Sequence, residues 1–172
     1  MNNPIVTICI PVYLSELYIE KCLKSVFNQS YTNINLVINY DPCDDNTLKL
    51  TTQLLSESPY KFKVIEHNDK PGVGAARNRM LDSCRGDFLY FLDSDDHIEP
   101  NCIEYLVNKA LEFSADIVVG SYRKIDEKEI STKDEIFKKE FVFNSNQLNV
   151  FCYEKKEIYP SFPWNKLISS SF

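Results

Sequence analysis

An α/β fold built on a mostly parallel sheet, with helices on both faces, is the architecture this 172-residue sequence predicts. Three observations carry it. Short apolar runs alternate with stretches of helical periodicity through the first 120 residues, the pattern of strands joined by helical crossovers. Apolar content of 44% with 13% aromatics supplies a real core, since a domain of this size buries about 70% of its unfolded surface. The run Phe88 to Leu92, suited to a covered central strand, ends abruptly in Asp93, Ser94, Asp95 and Asp96.

In order, Ile5 to Ile10 reads as a first strand stopped by Pro11. Ser15 is placed to cap a helix in which Tyr18, Ile19, Cys22, Leu23, Val26 and Phe27 recur at helical spacing. Ile34 to Asn39 is a second strand, and polar DPCDDN leads into a helix through Leu48, Leu54 and Leu55, with Asp44 and Asp45 as its caps. Phe62 to Ile65 is a third strand. Gly74 to Cys84 follows as a helix ended near Gly86. After the fourth strand, Asn101 to Phe113 is a helix and Ile117 to Val119 a fifth strand. Beyond Tyr122 the alternation breaks. Residues 123–140 are dense in Lys, Glu and Asp and read as a solvated hairpin or mobile loop. Asn144 to Phe151 reads as a short helix, and PWNKLISSSF ends the chain with no closing element.

Composition excludes several classes of function. A net charge of -6 leaves no basic footprint, so nucleic acid is not an expected partner. Six scattered cysteines without C-x-x-C spacing, four on apolar faces, read as reduced thiols of a cytosolic protein rather than a zinc site or disulfide framework. No basic-then-apolar leader opens the chain, and no run reaches 18 apolar residues, so neither a signal peptide nor a membrane span is expected.

The polar residues gather on one edge. In an open parallel sheet, ligands bind beyond the carboxyl ends of the strands. Pro11 to Tyr13, then Asp41, Asp44 and Asp45, then His67 and Asn68, then Asp93 to Asp96 all emerge there, whereas the opposite edge holds one acid, Asp87. Three carboxylates within four residues repel one another unless a cation or hydrogen-bond donors sit among them. Asp93 and Asp95 suit a divalent metal that itself holds a diphosphate; the competing reading is a strand-to-helix turn with a capping Asp before Pro100. PGVGAARNR (71–79) has too few glycines for a dinucleotide fingerprint and no G-K-[ST] for a P-loop. Its helix start and Arg77 could face a diphosphate, or Gly72 and Gly74 could serve a tight turn; both readings stand.

With TICIPVY, the Asp41 region, GVGAARNRML and GDFLYFLDSDDHIEP in this order, the chain resembles a family 2 glycosyltransferase, whose Rossmann-like nucleotide-sugar-binding fold is called GT-A. The likeness covers residues 4 to about 120 and resumes at PWNKL. It implies inverting transfer of a sugar from a nucleotide diphosphate donor, usually a uridine one, to a hydroxyl of a glycan or lipid-linked acceptor, with Mg²⁺ or Mn²⁺. It also implies a cytoplasmic protein peripheral to the inner face of the membrane. Residues 1–120 would be the nucleotide-sugar-binding domain and 121–172 the start of a truncated acceptor-side region.

Carried over by position, Pro11, Val12, Tyr13 and Glu16 would hold the nucleoside, and Asp41 would pair with the base. Arg77, Asn78 and Ser94 would join the donor site. Asp93 would lie near ribose and metal, and Asp95 would be the direct metal ligand. For Tyr13 core packing competes with this role, for Glu16 a favourable helix-dipole position, and for Trp164 the choice is sugar stacking or anchoring a terminal segment. Departures from the family pattern are Leu14 in place of Asn, and Tyr40, Asp41, Pro42, Cys43 in place of D-D-G-S, which leaves the base identity open. The family's general base follows the W-N-K-L element; this chain ends seven residues beyond Asn165, so that acid is expected to be missing. Nucleotidyl transfer fits poorly, because the loop after the first strand is PVYLSELY and not glycine-rich. A phosphoacceptor domain needs an acid pair there. A non-catalytic binding module is the remaining alternative, favoured by the altered Asp41 region and opposed by Asp93 and Asp95.

Overall fold

The computed structural model describes residues 3–67, 72–126, 131–135, 142 and 163–171. Its elements, in chain order, are β1 (Val6–Val12), α1 (Ile19–Phe27), β2 (Ile34–Tyr40), α2 (Thr47–Leu55), β3 (Lys61–Glu66), α3 (Val73–Leu81), β4 (Phe88–Phe91), α4 (Cys102–Phe113), β5 (Ile117–Val119), β6 (Tyr122–Ile125), β7 (Ser131–Glu135) and β8 (Lys166–Ser169). Six strands form one sheet in the order β3-β2-β1-β4-β8-β5. β1, β2, β3 and β4 run parallel, and β8 lies antiparallel between β4 and β5.

Period-2 alternation explains how the sheet is covered. Val6, Ile8, Ile10 and Val12 of β1 share a buried face with Ile34, Leu36 and Ile38 of β2, under α1, α2 and α4. Cys9, Val37, Leu89 and Phe91 point to the other face, where Met80 of α3 covers them. Helices on both faces therefore match the expected architecture. α1 and α4 each bury residues at i, i+3, i+4 and i+7 (Ile19, Cys22, Leu23, Val26; Ile103, Leu106, Val107, Ala110), which is why these segments are helical. α4 stops at Ser114, whose φ of 48° is left-handed.

Several expectations are corrected. β1 does not stop at Pro11 but continues to Val12. Pairing with β4 ends at Cys9, so on that side no strand awaits the N–H that proline lacks. Ser15 is not the cap of α1: the boundary residue is Tyr18, without a side-chain cap, and the Ser15 carbonyl accepts from Tyr18 and Ile19 N–H instead. α3 ends at Leu81, well before Gly86. Gly86 has another duty, because a Cβ there would meet Ile5 O and Thr7 Oγ1 at 2.7 Å. Gly86→Ala should cost about 1–3 kcal/mol and lower the Tm by roughly 3–10 °C; an unchanged melting curve would contradict that crowding.

The chain's last segment does hold a closing element. β8 completes the sheet through pairs Leu89–Ile168 and Val118–Leu167, with Leu167 fully buried. Asn165, at φ 59°, exchanges two bonds with Gly120: its Nδ2 donates to Gly120 O at 2.9 Å, and its O accepts from Gly120 N at 2.8 Å. Trp164 bridges to Phe91 and meets the Tyr122 ring edge-on at 5.0 Å, so the anchoring reading of that indole is the one the packing supports. Residues 122–125 and 131–135 pair as a two-stranded hairpin, within the stretch expected to be a hairpin or loop. The expected helix 144–151, Asn68, Pro71 and Cys152 lie outside the described residues. The five described cysteines are free thiols. No helix among the described residues is long and apolar enough to cross a membrane.

Candidate functional site

The carboxyl ends of β1, β2 and β4 and the first turn of α3 enclose a cavity of about 590 Å³. From β1 and the loop after it come Pro11, Val12, Tyr13, Leu14, Ser15 and Tyr18; from β2, Asp41; from α3 and its start, Gly72, Val73 and Ala76; from beyond β4, Asp93, Ser94 and Asp95. Sheet topology explains the gathering, since the parallel central strands end at one edge. On the opposite edge Asp87 is spent on Ile5 N–H at 2.7 Å.

Asp41 is buried, with only donors around it. Asn39 Nδ2 donates to Oδ1 at 2.6 Å, His67 Nε2 lies 2.5 Å from the same oxygen, and Gly72 N–H donates to Oδ2 at 2.8 Å. Arg79 Nη1 adds its charge 3.9 Å from Oδ1. Burial pushes this carboxyl up, but the hydrogen bonds from His67, Gly72 and Asn39 outweigh it and hold Asp41 below the usual carboxylate range. Oδ2, with one donor, keeps room for another.

The acidic tip is sorted by its neighbours. Asp93 Oδ1 accepts from Arg77 Nη2 at 2.7 Å, and the Arg77 guanidinium lies 5.9 Å from the centre of the Phe91 ring. Ser94 is buried, its Oγ 2.6 Å from Ser15 Oγ. Ser15 Oγ in turn donates to Tyr13 O at 2.8 Å, so the proton between the two hydroxyls is Ser94's. Ser15 N–H donates to Thr47 Oγ1, which donates to Asp45 Oδ2, so one polar chain pins the β1, β2 and β4 ends together. Locking Ser94 between them sets Asp93 and Asp95 on the cavity side. Asp95 is exposed and makes no hydrogen bond or ion pair to any described residue. Partial burial of its carboxyl, then the charges of Asp95 and Asp93, push Asp96 up to about 6, even though the residue as a whole is exposed.

No three acidic, histidine or cysteine side chains among the described residues converge on a point where they could hold a metal by themselves. The donor set fits a different kind of site. Asp95 and the second oxygen of Asp93 are hard oxygen ligands beside an open cavity, the arrangement suited to Mg²⁺ or Mn²⁺ whose other ligands are water and phosphate.

Seven of the ten residues expected at the site line the cavity: Pro11, Val12, Tyr13, Asp41, Asp93, Ser94 and Asp95. Arg77 reaches it through Asp93. Asn78 is exposed on α3 and is not among the lining residues. Glu16 also stands apart, its carboxylate accepting from Asn46 N–H at 2.9 Å and Asn46 Nδ2 at 3.2 Å, where it caps α2. Asp45 serves the next N–H, that of Thr47, while Asp44 is exposed. The Asp41–His67–Arg79 cluster and the Ser15–Ser94 contact leave no mark in the sequence: strand order puts His67 on this edge, but no local pattern names its partner. Leu14, which stands where the resemblance calls for Asn, has φ 46°, a conformation Asn tolerates better than Leu.

A family model described as Glycosyl transferase family 2 matches residues 7–166. The chain is 38% identical over 124 residues to glycosyltransferase GlyA of Streptococcus pneumoniae, covering 72% of this chain and 18% of that protein. It is 31% identical over 171 residues to EpsH of Bacillus subtilis, covering 99% of this chain and 48% of that one. Among solved structures, residues 1–349 of Staphylococcus aureus TarS in complex with UDP match with a TM-score of 0.66 at 25% identity, over 73% of this chain and 38% of that fragment. The chain thus spans less than half the length of each of these proteins.

Proposed function

Because the chain belongs to glycosyl transferase family 2, we propose that its cavity binds a nucleotide diphosphate sugar, a UDP-sugar, for inverting transfer to an acceptor hydroxyl. The observation that carries this reading is the convergence of Asp41, Asp93 and Asp95 on one cavity at the carboxyl edge of the GT-A sheet. UDP bound to TarS, at 25% identity, supports the uridine donor.

In this reading the nucleoside lies along Pro11 to Tyr13, and the open acceptor site on Asp41 Oδ2 takes the imide N–H of uracil. Arg77 holds Asp93 in place beside the ribose and diphosphate. Asp95 and the second oxygen of Asp93 would hold a divalent cation, whose charge would stabilise the leaving diphosphate. Val73 and Ala76 present a short-side-chain helix surface that lets the donor approach α3 closely. Residues 121–172 begin the acceptor side, and within them β8 returns to the donor sheet.

Calorimetric titration of UDP, CDP and ADP into the protein with Mn²⁺ tests the assignment. UDP should bind at least roughly tenfold tighter than CDP, whose N3 is an acceptor and would face the Asp41 carboxylate. Equal affinities for UDP and CDP would remove the uridine assignment, and no binding by any of the three would remove the donor site.

A further inference from the structure

We propose that Cys9 and Cys84 are a modification site: exposed to a peroxide, they join in an internal disulfide that ties β1 to the segment leaving α3. The two residues are 75 positions apart, yet the fold brings their sulfurs to 3.4 Å. A disulfide needs about 2.05 Å, so the two sulfurs have roughly 1.4 Å to close. This inference is independent of the nucleotide site.

The surroundings give the two thiols different parts. Cys9 is fully buried in the strand. Cys84 is half-buried, so a small oxidant reaches it first. A hydrogen bond from Cys9, opposed by burial and aided by the Arg85 charge, holds the Cys84 thiol below its usual range. Its Sγ also donates to Met80 O at 3.3 Å, an interaction that deprotonation gives up. Cys84 thiolate attacks one oxygen of hydrogen peroxide, forming an S–O bond as the O–O bond breaks and the second oxygen leaves as water. Cys9 sulfur then attacks the Cys84 sulfenic acid, the S–S bond forms, and the hydroxyl leaves as a second water. Two thiols and one peroxide give one disulfide and two waters. The bond closes a long loop and fixes the far end of the helix whose first turn lines the cavity.

Trypsin offers a clean readout, since residues 1–21 carry Cys9 alone and residues 80–85 carry Cys84 alone. After peroxide treatment of the full chain and alkylation of free thiols, we expect these two peptides to be joined, two hydrogens lighter than their sum, and separated by reductant. The Tm should rise by roughly 5–10 °C and fall back on reduction. Cys84→Ser should abolish both effects, as should Cys9→Ala; if Cys9→Ala does not fold, Cys84→Ser alone decides. Recovery of peptides 1–21 and 80–85 unlinked, with Cys84 alkylated or carried to the sulfinic acid, overturns the proposal.

Discussion

Asp95→Ala should lose the metal-dependent part of UDP binding, at least roughly a 100-fold loss of affinity in Mn²⁺, while the Tm stays within about 2 °C of the parent. The two halves of this expectation come from one observation. Asp95 lines the cavity, is exposed, and makes no hydrogen bond or ion pair to any described residue. Three carboxylates crowd this tip, so removing one relieves repulsion in the free protein and costs the fold nothing. A cation bound at this tip would offset the repulsion. Asp93 is a poorer probe, because its Oδ1 also holds Arg77 at 2.7 Å and its loss strands a guanidinium whose Nε already has no hydrogen-bond partner among the described residues. Calorimetry with Mn²⁺ and with EDTA separates the cases. Parent protein should bind UDP much more tightly with Mn²⁺, and Asp95→Ala should bind it equally weakly in both. If the variant keeps the full Mn²⁺ enhancement, the acidic tip is a turn and not a ligand set.

What the chain reveals in advance depends on the range over which each interaction acts. β1, β2 and β4 are legible because each is buried on both faces and so shows as a short continuous apolar run, a local signal. α1 and α4 were legible from one apolar stripe. β8 was not: four residues, KLIS, are too short for periodicity, and the strand gains its place only by entering antiparallel between two strands distant in sequence. The same division applies to the site. Residues that follow directly on strand ends, such as Asp41 and Asp93 to Asp95, could be assigned to the cavity from topology. Side chains whose duty is set by a partner across the fold could not. Glu16 reads equally as a site acid and as a helix-start acid, and its carboxylate goes to Asn46 at the start of α2; Ser15 reads as a cap but supports Ser94. Gly86 reads as a helix stop but makes room for Ile5 and Thr7.

Asp41→Asn should lower the Tm by roughly 5–15 °C at pH 7, with a cost of about 2–4 kcal/mol. The substitution keeps shape and removes charge, but every neighbour of Asp41 is a donor. Asn39 Nδ2 and His67 Nε2 face Oδ1, and Gly72 N–H faces Oδ2. Turned toward Gly72, the amide NH₂ meets a donor; turned the other way, it requires the Asn39 amide to flip and the His67 tautomer to change. In either case the Arg79 charge 3.9 Å away loses one counter-charge. The pH dependence has a definite sign. Asp41 is held below its ordinary range in the folded protein, so the unfolded chain takes up its proton first as pH falls. Its contribution is complete above the unfolded value near 3.9 and disappears as pH drops through the lower folded value. Melting curves of parent and Asp41→Asn should therefore stay separated from pH 7 to about 5 and converge toward pH 3. A gap that persists unchanged to pH 3 would mean that the variant's loss comes from packing and not from the carboxylate, and the ionised cluster at the cavity wall would lose its basis.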